Sequence, residues 1–322
     1  MEAINIRKSP DLPQEIIDII VHEIASQDLT GETLKACSLV SKPFCFSCRR
    51  HLFSDIKLVS DKFSQSRAAR LAKILRNPDN VGLAACVRSL TLILHVPSSR
   101  AYPFLGSRIL GRRLYKSKMM ALTLASRFHL YENNLIRALN LLMQAPLESF
   151  TLHTQGAVPD WENEVGVASS MKKAILIACT AHLTTLRLSN LVNIDESLIT
   201  RVFHSGTLKE LALAHVTLKV CDDDANLDLQ PTTSQIERLD LRHISYMQVL
   251  RTMGRPTLPT LPVPYPFITF SCLRSLTISG PWPDLETDTL WQFMLGVADT
   301  LETLEIEEIK WQGNRFGFPF RH

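Results

Sequence analysis

The chain has 322 residues, of which 45% are hydrophobic and 21% are charged, and its formal net charge is +3. This composition is typical of a globular protein with enough apolar side chains for a large core, and it is too weakly basic to require a polyanionic partner. No stretch approaches the roughly 18 consecutive apolar residues of a membrane-spanning helix, so membrane insertion is not expected.

The seven cysteines are odd in number and show no pairing order, which predicts reduced thiols and an intracellular location, cytoplasmic or nuclear. The first residues reach Pro10 without the apolar run of a secretory signal. The length allows two domains, or a small module followed by a long array of stacked units.

The first predicted element is a helix from about Gln14 to Ala25, with Pro13 in its first turn and Asp11 as the N-cap. At 100° per residue its aliphatic positions cover an arc of roughly 200°, about twice what a surface helix needs to cover its own core. They are Ile16, Ile17, Ile19, Ile20, Val21 and Ile24. Either this helix is wedged deep inside the chain or it docks on another protein, and periodicity leaves both interpretations open.

Two blocks in this region resemble the F-box. Leu12 to Ile20 reads LPQEIIDII, and Cys37 to Phe44 reads CSLVSKPF, against the usual L-P-x-E-[LI]-[LI]-x-x-I followed by V-S-[KR]-x-[WF]. Phe44 stands where many members have tryptophan. The continuation through Leu92 is similar to the head of F-box proteins with degenerate leucine-rich repeats, which are abundant in mushroom-forming fungi.

The resemblance implies a three-helix F-box-like module over residues 1–60 that binds a Skp-family adaptor. Through that adaptor the chain would join a cullin-RING ubiquitin ligase as its substrate receptor. By position, the implied adaptor-binding residues are Leu12, Pro13, Ile16, Ile19, Leu39, Val40 and Phe44.

Further along, an apolar residue is followed seven times by a second apolar residue three places on and a third two places later. These triplets are Val87/Leu90/Leu92, Leu147/Phe150/Leu152, Leu183/Leu186/Leu188, Leu208/Leu211/Leu213, Ile236/Leu239/Leu241, Leu273/Leu276/Ile278 and Leu301/Leu304/Ile306. The spacing L-x-x-L-x-L is typical of the strands of leucine-rich repeats. Helical spacing between triplets is seen in Leu135/Leu139/Leu142, Ala174/Ala178, Leu198/Val202 and Leu290/Phe293/Met294/Val297.

We therefore expect an α/β fold in which residues 61–322 form an irregular leucine-rich-repeat solenoid with a parallel inner sheet. Uneven spacing between the triplets predicts insertions near residues 95–130, 221–234 and 254–267. The last of these holds five prolines in twelve residues, which favours a stiff connecting loop over a docking motif. Trp311 and the aromatic residues 316–320 are expected to cap the array.

Alternation along each strand sends the triplet residues inward and the residues between them onto an open concave face. The charged residues predicted there, and hence the predicted target-binding residues, are Arg187, Glu210, Arg238, Asp240, Arg242, Glu305 and Glu307. A band of mixed sign suits a protein ligand better than a phosphate backbone. The three arginines would either hold a phosphate or pair with Asp240 and Glu210, and each position taken singly is also explained as a solvated polar residue.

Residue patterns that carry chemistry are few. The acidic run 222–228 lacks the glycine and the glutamate that a calcium loop requires, and the single Cys45-x-x-Cys48 pair is expected to pack inside the helical module. Motifs for phosphate cradles, nucleophile elbows and zincin sites are missing, and the histidines, among them His153, His204, His215 and His243, look separated. The five cations of residues 108–118 are expected to be a solvated face.

The leading hypothesis is therefore a non-catalytic substrate receptor that needs no cofactor or metal, with an unidentified protein target and neither a nucleic acid nor a membrane as partner. The alternative is a leucine-rich-repeat interaction scaffold whose N-terminal helices serve only as a cap, without ubiquitin-ligase association. An enzyme with a dispersed active site is kept as a third class, to be revived by a metal or cofactor in the purified protein.

Overall fold

The computed structural model describes most of the N-terminal part of the chain and the successive strands that follow. The described residues are 12–28, 30–60, 64–80, 82–96, 134–142, 145–156, 183–195, 198–199, 202, 206–219, 232–244, 268–280 and 293–307.

Four α-helices and ten strands have defined bounds. The helices are α1 Gln14–Gln27, α2 Glu32–Cys37, α3 Lys42–Leu52 and α4 Ser64–Arg76. The strands are β1 Asp55–Ser60, β2 Ser89–Val96, β3 Ser149–Gly156, β4 Thr185–Asp195, β5 Glu210–Lys219, β6 Thr232–Ser234, β7 Arg238–Arg242, β8 Ile268–Phe270, β9 Ser275–Ser279 and β10 Thr303–Ile306. Short 3₁₀ helices span Pro78–Asn80 and Ala84–Cys86, and residues 134–142 and 293–297 are also helical.

The start of α1 differs from the prediction. Pro13 has extended backbone angles (φ −52°, ψ 143°) and is the N-cap residue, so it precedes the helix instead of lying in its first turn. Its carbonyl accepts hydrogen bonds from the N–H groups of Ile16 and Ile17, at 3.1 and 3.2 Å. No side chain caps this end, and Asp11 lies outside the described residues.

Helices α1 to α3 enclose a small core of their own. Its fully buried members are Ile17, Val21, Leu34 and Cys48, and Phe44 and Leu52 are among the half-buried residues that pack against it. The Cys48 thiol has a raised pKa because of its burial, which agrees with a packing role. Within the described chain, Cys37, Cys45, Cys48, Cys86 and Cys272 are all free.

The turn between α1 and α2 is fixed by Asp28. One carboxylate oxygen accepts a hydrogen bond from the Leu34 N–H at 2.9 Å, and the other accepts from the Thr30 side chain at 3.0 Å. Gly31, with φ at +71°, adopts the left-handed conformation that lets the chain enter α2. The bond to Leu34 is the main reason that the pKa of Asp28 is lowered.

Eight strands form one parallel sheet in the order β1-β2-β3-β4-β5-β7-β9-β10. The predicted triplets align in register, so that the apolar side chains form two rows across it. The first row is Ile56, Leu90, Phe150, Leu186, Leu211, Leu239, Leu276 and Leu304, and the second is Leu58, Leu92, Leu152, Leu188, Leu213, Leu241, Ile278 and Ile306.

Strand β1 belongs to this sheet, because Asp55 to Ser60 pair with β2 along their whole length. The predicted boundary at residue 60 therefore falls after the first strand and not before it. The helical unit that precedes the sheet ends at Leu52 and the turn of Phe53 and Ser54.

A repeated backbone contact joins each unit to the next. One carbonyl just before a strand accepts two N–H groups from the chain entering the following strand, as Glu148 does from Thr184 and Thr185 at 2.8 and 3.0 Å. The same arrangement recurs at the carbonyls of Ser54, Arg88, Thr184, Lys209, Glu237 and Arg274. Because every unit uses the same contact, the strands keep one register across the sheet.

Helical segments cover the apolar side of the sheet. Leu135, Leu139 and Leu142 of the segment 134–142 are buried in the same cluster as the strand rows, which confirms the predicted helical spacing there. Val297 belongs to this cluster too, as do Leu198, Ile199 and Val202. The predicted helix around Ala174 and Ala178 lies outside the described residues.

Three features depart from expectation. Residues 232–234, which we assigned to an insertion, form β6 and pair in parallel with β8 in a separate two-stranded sheet. Ser279, which alternation along β9 after Ile278 would place on the open face, is buried. In β10, Leu304 is 46% exposed although its register places it in the apolar row, because β10 is the last strand of the sheet and no described element lies beyond it.

Several predictions concern segments outside the described residues: the proline-rich loop, the cations of 108–118, the acidic run 222–228 and the aromatic tail. The predicted insertion at 95–130 is also outside them, except for its first residues, which complete β2. None of the helices in the described part of the chain combines the length and the hydrophobicity needed to cross a membrane.

Candidate functional site: two interaction surfaces

Helix α1 presents a second apolar face on the side away from its own core. Ile17 and Val21 are buried, whereas Ile16, Ile19 and Leu12 are exposed, Ile19 by 65%. At 100° per residue Ile19 lies opposite the buried pair and Ile16 lies on the same outer side, while Leu12 precedes the helix. The surplus of aliphatic residues expected from the sequence is therefore solvent-facing and is not enclosed by the described remainder of the chain.

A hydrogen-bonded cluster between α1 and α3 fixes this orientation. The Ser47 hydroxyl, itself buried, donates to the Asp18 carboxylate, and the Gln14 amide lies 2.8 Å from Asp18 and 2.7 Å from Ser47. The Ser47 bond, followed by the Gln14 bond, lowers the pKa of Asp18. Because the Asp18 side chain of α1 is bonded to Ser47 of α3, α1 is oriented with Ile17 pointing inward and with Ile16 and Ile19 pointing outward.

The remaining implied adaptor residues are divided by burial. Leu39 and Val40, in the turn after α2, are 86% and 70% exposed, and Pro13 is also exposed. Phe44 is half-buried against the inner core of the three helices, so only part of its ring is accessible. We call Leu12, Ile16, Ile19, Leu39 and Val40 the N-terminal apolar residues.

Two exposed apolar residues nearby are not among the implied adaptor-binding residues. Ile20 lies on the outer arc of α1, and Phe46 is exposed on α3 with the Arg50 guanidinium 4.8 Å from its ring centre. Phe46 falls between the two cysteines that drew attention to this segment, and nothing in its spacing marks it as exposed.

The second surface is the polar face of the sheet. The alternation rule is confirmed at β4, where Leu186 and Leu188 are buried while Thr185, Arg187 and Ser189 are not. The same pattern of burial is seen along β5 and β7.

Many of the charged side chains on this face form ion pairs across the strands. Arg187 donates through Nε and Nη2 to one oxygen of Glu210, at 3.0 and 2.6 Å. Register explains the pair, because Arg187 on β4 lies opposite Ala212, two residues along β5 from Glu210. Of the two alternatives left open by the sequence, pairing is the one seen for Arg187.

A second network joins β7 to the end of β10. The Arg242 Nε lies 2.8 Å from the Asp240 carboxylate, and its Nη1 lies 2.9 Å from Glu307. The bond to Asp240 is the main reason that the pKa of Arg242 is raised. Glu305 accepts a weaker hydrogen bond from Thr277 at 3.3 Å, and Arg238 is exposed on β7. Most of the predicted target-binding charges therefore contact one another.

Two histidines expected to be separate lie together at the end of this face. His215 and His243 stack with ring centres 4.3 Å apart and planes 8° apart. They follow Ala214 and Arg242, the last residue pair between β5 and β7, and both have φ near +50°, so the backbone changes direction at the same place in the two strands. Burial, and then the neighbouring His243, lower the pKa of His215. Each histidine stands two places after the last residue of its triplet, Leu213 or Leu241, so an alignment of the two triplets would have placed the rings side by side.

Within the described ranges, no three histidine, cysteine or acidic side chains are grouped closely enough to hold a metal ion. Two surfaces therefore stand out in the described part of the chain: one is apolar and helical, and the other is polar and lies on the sheet. Comparison with protein-family models, with curated proteins and with solved structures finds no match to this chain.

Proposed function

We propose that this chain is the substrate-recognition subunit, an F-box protein, of a Skp-cullin-F-box-type ubiquitin ligase. Its helices α1 to α3 bind a Skp-family adaptor, and the polar face of its sheet, as the concave side of a leucine-rich-repeat-like array, holds a target protein. The chain performs no chemistry, and ubiquitin transfer is promoted by proximity.

The observation that carries the proposal is the exposure of the N-terminal apolar residues on helices that already have a complete core. Fully burying one aliphatic side chain is worth about 1.5–3 kcal/mol, so a partner covering several of them would bind with useful affinity. Leu12, just before α1, and Ile16, within it, match the first block of the F-box resemblance, whose last aliphatic position is taken by Ile20, and Ile19 beside it adds exposed apolar surface.

The polar sheet face supports the target-binding half of the proposal. Its ion pairs are at least partly exposed, and each is worth little to stability by itself. A protein partner with complementary charges could exchange these pairs for its own at small cost, which gives selectivity more than affinity.

The test measures recovery of a purified Skp-family adaptor on the full chain. Ile19→Asp and Ile16→Asp should each abolish co-purification, because a charge would be buried at the contact. Leu295→Asp is the matched control, since Leu295 is also an exposed aliphatic residue on a helix but lies in segment 293–297 near the other end of the described sheet.

Circular dichroism should show all three variants folded, because the replaced side chains are exposed. Unchanged recovery of the adaptor with Ile19→Asp and Ile16→Asp would contradict the proposal. If the wild-type chain itself elutes alone after mixing with the adaptor, the interaction scaffold is the better interpretation.

A further inference from the structure

The last strand of the parallel sheet, β10, has one edge with which no described strand pairs. Its other edge is bonded to β9, where the N–H groups of Thr303 and Glu307 donate to carbonyls on the β9 side at 2.8 and 3.0 Å. Backbone groups of successive residues in a strand point to opposite edges. The N–H and carbonyl groups of Leu304 and Ile306 therefore face the open edge.

The backbone contact that joins successive units has its next acceptor at this edge. The last carbonyl in that series is Arg274, which accepts the N–H groups of Glu302 and Thr303, both at 2.8 Å. The equivalent position one unit later is Glu302, since it precedes β10 as Arg274 precedes β9. Among the described residues, nothing donates to the Glu302 carbonyl. The array therefore presents the acceptor for one more strand.

The two apolar rows of the sheet also reach solvent at this edge. Leu276 and Ile278 of β9 are fully buried, whereas Leu304 and Ile306, which lie beside them on β10, are 46% and 52% exposed. At the opposite end of the sheet helix α4 packs against β1, and the row residue Leu58 is buried. An additional strand on β10 would bury both exposed side chains and so would gain apolar burial as well as hydrogen bonds.

Charge on the polar side of β10 selects the chemistry of an added strand. Glu307 shares the Arg242 guanidinium with Asp240, and Glu305 lies near the same guanidinium without an ion pair of its own to a described residue. Three carboxylates thus surround one cation, and a second cation opposite Glu305 would be attracted. A second copy of this chain fits less well, because a two-fold axis would bring the acidic residues of both edges together.

From these observations we infer that the β10 edge binds an extended segment of a partner protein as a ninth, parallel strand of the sheet. The segment has apolar side chains at alternate positions, which continue the two rows, and lysine or arginine between them, opposite Glu305. Following the pattern of β10 on β9, the N–H groups of its basic residues donate to the carbonyls of Leu304 and Ile306. This edge is distinct from the N-terminal apolar residues, so the inference does not rest on ubiquitin-ligase association.

The experiment uses the full chain and a short fluorescein-labelled peptide in which valines alternate with lysines, and it measures binding by fluorescence anisotropy. A peptide of the same composition with its valines grouped together controls for general attraction between lysines and carboxylates. It should bind about tenfold more weakly or worse, because it cannot place valines on one face and lysines on the other.

Backbone methylation of the peptide tests the hydrogen bonds without changing the protein. N-methylation of two lysines removes donors that face β10 and should weaken binding about tenfold or more. N-methylation of two valines, whose N–H groups face away from β10 in a parallel strand, should change binding by about twofold or less. A larger effect at the valines would mean antiparallel addition and would contradict the inferred strand.

Two variants test the edge from the side of the protein. Leu304→Pro removes an N–H that faces the partner and should abolish binding, since proline on an edge strand keeps the bonds to β9 but cannot donate outward. Leu304→Ala keeps this N–H and loses only apolar contact, so the peptide should still bind, about threefold to tenfold more weakly. Circular dichroism checks that both variants are folded.

Several outcomes would overturn the inference. They are failure of the wild-type chain to bind the alternating peptide, as an edge already occupied would cause, equal binding of the grouped peptide, equal weakening by both methylated peptides, and unchanged binding by a folded Leu304→Pro variant. A dimer in light scattering that Leu304→Pro dissociates would assign the edge to a second copy instead. No adaptor is present in the assay, so this inference and the proposed function can fail separately.

Discussion

The in-register apolar rows predict a gradient of stability along one row, which two leucine-to-alanine variants can measure. Leu211 in β5 is fully buried, with Leu186 and Leu239 beside it in the same row. Leu304 occupies the same row position in β10 but is 46% exposed. The two substitutions remove the same atoms from environments that differ only in how completely they are enclosed.

Leu211→Ala should lower the free energy of unfolding by about 3 to 4 kcal/mol, because the lost burial is accompanied by a cavity that neighbouring strands cannot fill. Leu304→Ala should cost about 1 kcal/mol, because roughly half of that side chain already contacts water and no closed cavity forms. Urea unfolding followed by circular dichroism measures both values.

Equal losses in the two variants would refute the reasoning, since they would mean that Leu304 is as enclosed as Leu211. A loss below about 1 kcal/mol for Leu211→Ala would equally contradict the continuous core described here. Leu295→Ala, at a helical position that is 54% exposed, serves as the control and should cost about 1 kcal/mol or less, like Leu304→Ala and well below Leu211→Ala.

Three further predictions concern single contacts. Because the pKa of Asp18 is lowered in the folded chain, the ionised carboxylate stabilises the fold at pH values above the ordinary aspartate pKa of about 3.9, and this contribution is lost as the pH falls through the pKa of the folded chain. The difference in melting temperature between wild type and Asp18→Asn should therefore shrink below about pH 4. A difference that stayed constant from about pH 7 to pH 3 would contradict this. Gly31→Ala should destabilise the chain by about 1 kcal/mol, because φ is positive at this position. Gly296→Ala should stabilise the chain by about 0.5–1 kcal/mol, because Gly296 lies in a helical segment with open space around it. Thermal unfolding measures both effects, and the same sign for the two variants would refute this prediction. A double-mutant cycle on Arg187 and Glu210 should give a coupling energy below about 1 kcal/mol that decreases in high salt, and a larger, salt-independent value would show that the pair is not solvent-screened.

The strands were predictable because each triplet has two apolar residues two places apart, preceded three places earlier by an aliphatic residue. This spacing determines which side chains of the strand face inward. Phe150, Leu186 and Leu211 take the row positions that the triplets assign to them. Strand β1 was missed although Phe53, Ile56 and Leu58 have the same spacing, with an aromatic residue in first place. Accepting an aromatic residue there would have predicted all eight strands of the sheet.

The contacts between units were only partly accessible from the sequence. Pairing of Arg187 with Glu210 was one of two alternatives there, and it is the register of β4 against β5 that brings these two side chains together. How α4 lies beside segment 134–142 was not given by the sequence. Exposure within α1 was predicted as an excess of apolar surface, but the sequence could not say whether the rest of the chain would cover it.

The connection between the helical unit and the sheet bears directly on the proposed function. The Ser54 carbonyl, in the turn after α3, accepts the N–H groups of Arg88 and Ser89 at 2.8 and 2.9 Å, and the Arg49 side chain of α3 bonds Asn80. The chain therefore passes from α3 to β1 through a hydrogen-bonded turn and not through a flexible linker. A target on the sheet would be held at a fixed distance from an adaptor on α1. Since a flexible linker dilutes the effective concentration of a tethered partner, this rigid junction favours a receptor that works by positioning.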